Sequence, residues 1–75
     1  MNTTLTMVKK SDNRVAIIST STGQTIKTLT VDGTIIGGPN VSGDVGTVQV
    51  KKGNIVKMYI YDLKNGTVKK IFTVW

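Results

Sequence analysis

Ile55-Val56-Lys57-Met58-Tyr59-Ile60-Tyr61-Asp62-Leu63-Lys64-Asn65-Gly66-Thr67-Val68-Lys69-Lys70-Ile71-Phe72-Thr73-Val74-Trp75 closes the chain and decides its fold class. Val56, Met58 and Ile60 alternate with Lys57, Tyr59 and Tyr61, the two-residue period of a β-strand. Asn65-Gly66 follows, a pair that tolerates the positive φ needed at both centres of a two-residue type I′ turn. The spacing predicts a strand over Ile55–Asp62, a tight turn, and a last strand over Thr67–Trp75. In that last strand Val68, Phe72 and Val74 are expected on one side, with Ile71 and Trp75 on the other. Both strands are apolar on both faces, which suits sheets stacked on one another or covered by neighbours.

Working upstream, the same pattern returns. Shifted by 42 positions, Val8-Lys9-Lys10 falls on Val50-Lys51-Lys52, Ile18 on Ile60, Thr25-Ile26-Lys27 on Thr67-Val68-Lys69, and Leu29 on Ile71. Residues 1–75 thus read as a single domain of two tandem antiparallel meander repeats: 1–33, incomplete at its start, and 34–75. The remaining strands are expected at Thr3–Lys9, Arg14–Thr20, Gln24–Val31, Thr34–Ile36 and Val45–Lys51. Ser11-Asp12-Asn13, Ser21-Thr22-Gly23 and Gly53-Asn54 serve as turns, and Gly37-Gly38-Pro39-Asn40 through Asp44 as a long loop. Ala16 and Ile18 are placed on the inner face, matching Val56, Met58 and Ile60. Units of this kind seldom bury their apolar faces alone and usually need stacked neighbours.

Composition agrees with an all-β chain. Val, Ile and Thr supply 30 of the 75 residues, and no window carries the apolar spacing of an amphipathic helix. There is no Cys to staple so small a core, which favours self-association. Nine Lys and Arg14 against four Asp give a net charge of +6. That balance favours an anionic partner, nucleic acid or an acidic protein surface, or else lysines that blunt exposed strand edges. No signal peptide or membrane-spanning run is visible, so the expected location is cytoplasmic or within a virion.

The segment Val56–Ile71 resembles the last two strands of a β-propeller blade of the WD40 or YVTN type. It has alternating apolar residues, an aromatic–Asp pair at Tyr61-Asp62, a glycine turn and a second alternating strand. Val15–Leu29 is similar but lacks the aromatic and the Asp, and no Gly-His pair occurs. The resemblance implies a propeller-like oligomer in which chains share a ring; the same hairpins also suit, within one chain, two three-stranded meanders folded face to face as a small barrel or sandwich with pseudo-twofold symmetry. By strand count, the piece missing from the first repeat corresponds to residues 34–42.

Chemistry is sparse. His, Glu and Cys are missing, and Asp12, Asp32, Asp44 and Asp62 fall at or near turns, where their carboxylates are expected to bond local amides. Gly33–Asn40 lacks the ending of a phosphate-binding loop, and neither a metal set nor a cofactor motif is expected. The leading expectation is a non-enzymatic, self-associating structural module, of the kind found in a small phage virion component. Val68, Ile71, Phe72, Val74 and Trp75 would carry the association. The alternative is a regulatory nucleic-acid-binding module in which Lys9, Arg14, Lys51, Lys57 and Lys69 contact phosphates and Tyr59 stacks on a base. A glycan-binding oligomeric propeller stands third.

Overall fold

The computed structural model describes residues 4–74, which form seven strands and no helix. They are β1 (Leu5–Ser11), β2 (Arg14–Ser19), β3 (Thr25–Thr30), β4 (Thr34–Ser42), β5 (Val45–Lys52), β6 (Ile55–Asp62) and β7 (Thr67–Thr73). Two antiparallel meanders result, β1-β2-β3 and β4-β5-β6-β7, and the chain is all-β as its β-branched composition requires. Of the residues expected to form the long loop, 37–42 instead continue β4, while Gly43-Asp44 form the turn to β5. Gly37 pairs with Gln49 and Asn40 with Thr47, with register shifts on both sides of Gly37 and a cis Gly38–Pro39 peptide. An edge position makes this possible, because Pro39 needs no outward N–H and glycine accommodates the irregularities.

The β6–β7 turn also differs from the two-residue type I′ expectation. Asp62 pairs with Thr67, leaving a four-residue loop, Leu63 to Gly66, in which only Gly66 has positive φ, at 68°. Gly66 N donates to Asp62 O at 2.8 Å. The Asp62 carboxylate accepts from Lys64 N at 3.1 Å, from Asn65 N at 3.3 Å and from Asn65 Nδ2 at 2.7 Å. This side-chain scaffold holds Asn65 at negative φ and lengthens the turn. The β2–β3 loop repeats the backbone: Gly23, with φ of 75°, donates to Ser19 O at 2.7 Å, and Ser19 N to Gln24 O.

Strand registers show that the two hairpins correspond position for position. Ile17 pairs with Lys27 and Ile60 with Lys70; Ile18 pairs with Thr25 and Tyr61 with Val68. Equivalent positions therefore differ by 43, and each hairpin carries one displaced residue in the same place, Ile26 or Lys69. The offset of 42 seen in residue identities aligned Gly23 with Asn65, whereas the backbone aligns it with Gly66.

One core joins the sheets. Met7, Val15 and Ile17 face it from the first, and Ile35, Val48, Val50, Tyr59 and Tyr61 from the second, with Val31 and Leu63 from connections. The inner faces are the reverse of the expectation: Tyr59 and Tyr61 point inward while Val56, Met58 and Ile60 are only half-buried on the outside. Gly46, opposite Tyr61, leaves the space in which Met7 Sδ and Leu63 pack. The displaced Lys69 also moves Val68 across β7, so that Val68 and Ile71 share the face of Tyr61 and Tyr59. Polar ties reinforce the contact. Ile35 N donates to Asp12 O and Lys27 Nζ to Gly66 O at 2.6 Å, while Val31 N, donating to Asn13 O, prolongs the β2–β3 pairing.

Candidate functional site

All seven residues of β7 are exposed, an unusual state for a strand carrying Val68, Ile71 and Phe72 and followed by Val74. Val68 and Ile71 lie on the face of the core residues Tyr61 and Tyr59, yet each remains 45 % exposed. Phe72 opposes Met58 on the outer face, and Val74, whose N–H bonds Val56 O, extends that face. Four of the five residues expected to carry association are thus brought onto one sheet edge, two on each face. Trp75, the fifth, lies outside the described residues.

The residues expected to contact an anion are not brought together. Lys9 opposes the core residue Val15 at the end of β1, 3.9 Å from Asp12, while Arg14 begins β2 on the opposite face. Lys51 lies on the outer face of β5, and Lys69 is the displaced residue of β7. Tyr59 is 8 % exposed, with its ring centroid 6.2 Å from that of Tyr61. Its face is committed to the core, which removes the expected stacking platform. Lys57 remains exposed at the open end of that same sheet face, beside a hollow of about 440 Å³ lined by Asp32, Val50, Lys52, Gly53, Ile55 and Lys57.

Of the four aspartates, Asp62 makes the expected local cap, which holds its carboxyl below the ordinary 3.8, the Asn65 side chain contributing most. Asp32 departs from that pattern. Its carboxylate bonds Lys52 Nζ at 2.7 and 2.9 Å, linking the β3–β4 connection to the end of β5. Those hydrogen bonds, and then the ammonium charge, lower its pKa. Burial, with Tyr59 next, pushes the Tyr61 hydroxyl up to about 12, and its oxygen has no hydrogen-bond partner among the described residues.

Among the described residues no cluster of three metal-ligating side chains occurs, and no helix is long and apolar enough to cross a membrane. Ile18, Met58 and Ile60, expected on the inner face, lie instead with Val8 on the two outer faces. Their signal was present in strands apolar at both odd and even positions. Compared with known proteins, the chain matches no family model, no curated protein and no solved structure.

Proposed function

We propose that this chain is a non-enzymatic structural module that acts by self-association, its setting a multicopy assembly such as a phage particle, with propeller-like sharing of sheets between chains. The observation that carries this reading is β7, exposed along its whole length and apolar on both faces. An edge strand meeting only water is normally kept polar, short or covered. Lys69 and Lys70 restrain indiscriminate pairing along that edge but leave Phe72 and Val74 free to pack.

Light scattering across a concentration series tests the reading directly. The expected result is a defined multiple of 8.1 kDa that persists on dilution. Phe72→Lys is expected to reduce that mass while leaving the β-sheet circular dichroism intact. A wild-type chain that stays monomeric at every concentration would end the proposal. The nucleic-acid reading stands second, supported by the net charge of +6 alone.

A further inference from the structure

The two hairpins turn opposite faces to their shared core. Val15, Ile17 and Leu29 pack inward from the first sheet, and the positions equivalent to them in the second are Met58, Ile60 and Phe72, on the outer face. Conversely, Val48, Tyr59 and Tyr61 pack inward from the second sheet. Val8 opposes Ala16 as Val48 opposes Tyr59, so their equivalents are Val8, Ala16 and Ile18, on the outer face of the first. Every one of these equivalents is apolar. Each sheet therefore keeps, facing outward, a version of the surface that the other uses inward.

A twofold exchange would place equivalent residues of both sheets in the core, so the two sheets are not related that way. Their relation is directional: the front of one rests on the back of the next. A contact of that kind is heterologous and can be repeated by another chain. We infer that a second copy docks head to tail, the outer face of its β1-β2-β3 sheet (Val8, Ile18) receiving the outer face of β4-β5-β6-β7 (Met58, Ile60, Phe72) of the first.

The proposal rests on the self-association reading and adds to it the two surfaces and their polarity. It continues the interface that already holds the chain together, built from the same strand positions. Val8 is 38 % and Phe72 39 % exposed and Met58, Ile60 and Ile18 are half-buried, while Ala16 between them is already fully buried. Arg14 lies on the first face, and Lys51, Lys70 and Asp62 on the second, which leaves both surfaces net positive, so they repel electrostatically around an apolar centre. Salt weakens that repulsion.

Paired variants test the polarity. Met58→Lys removes one face and Ile18→Lys the other, with Met58→Ser and Ile18→Ser as milder versions should lysine disturb folding. Each variant alone is expected to sediment as a monomer. Mixing the two leaves one competent interface, so the mixture should form a 1:1 pair and nothing larger, and the wild-type assembly should tighten with added salt. An assembly that survives one of the two substitutions, a mixture that stays monomeric, or wild-type association that weakens with salt would overturn head-to-tail docking. A wild-type chain that is monomeric throughout would instead remove the self-association on which it rests.

Discussion

Hairpins β2–β3 and β6–β7 share strand register, loop length, a glycine at the loop's last position and the site of their displaced residue, yet bury opposite sides. Val15 and Ile17 are fully buried, whereas Met58 and Ile60 at the equivalent positions look outward. Backbone geometry in a hairpin is thus settled locally, by the loop and the irregularity. Which face becomes core is settled by what lies across from it. Because side chains alternate, a hairpin apolar on both sides accepts either choice without changing a single backbone hydrogen bond.

Truncation is the sharpest way to break this comparison. Ile17→Ala should cost about 2–5 kcal/mol in urea unfolding, as a fully buried Ile→Ala change does. Ile60→Ala at the equivalent position should cost under about 1 kcal/mol when made in the Ile18→Lys chain, which is expected to be monomeric. Equal losses would mean that the face assignment is wrong.

A smaller effect is expected at Tyr61, equivalent to Ile18. Tyr61→Phe removes a buried hydroxyl that lacks a partner and should stabilise the chain by about 1 kcal/mol. It should also remove an alkaline transition. The folded state holds this proton more tightly than the unfolded chain, so its contribution is complete below pH 10 and lost as pH rises toward about 12. A wild-type Tm that stays flat across that window would contradict the burial of this hydroxyl.

The least effect concerns the two loops. Asp62→Ala should lower Tm slightly at neutral pH. The wild type should lose the same increment as pH falls, since a carboxyl held below 3.8 contributes above that value and stops contributing as it protonates. In the first loop Gln24 N bonds the Thr22 hydroxyl at 3.3 Å, so Thr22→Ala should lower Tm with no acid dependence of its own. Matching pH profiles for the two variants would show that Asp62 is not acting as the cap.

The strand assignments show what the sequence could reveal. Ile55–Asp62 and the start of β7 are legible because alternation and the Gly66 turn agree. Residues 37–42 are not, since Gly37, Gly38 and Pro39 suggest a loop unless an edge position is already known. Face assignment was also hidden: Val56, Met58 and Ile60 have as strong a claim to the interior as Lys57, Tyr59 and Tyr61 until Met7 and Leu63 are seen filling the space over Gly46. Lysines were legible as charge but not as a surface, because pairing scatters Lys9, Lys51 and Lys69 among separate faces.

The exposure of β7 also has a consequence in time. Backbone bonds to β6 are the main hold on this strand, and little buried apolar area resists their loss, so it belongs to the part of the molecule that opens first. In the unassembled chain its amides should exchange with solvent through local fraying, well before those of β2 and β5. A protease should accordingly nick the chain near its C-terminal end while the rest remains folded. Each such opening bares the edge of β6 beside Tyr59 and Tyr61, so β6 alone separates the fastest-exchanging strand from the protected β5.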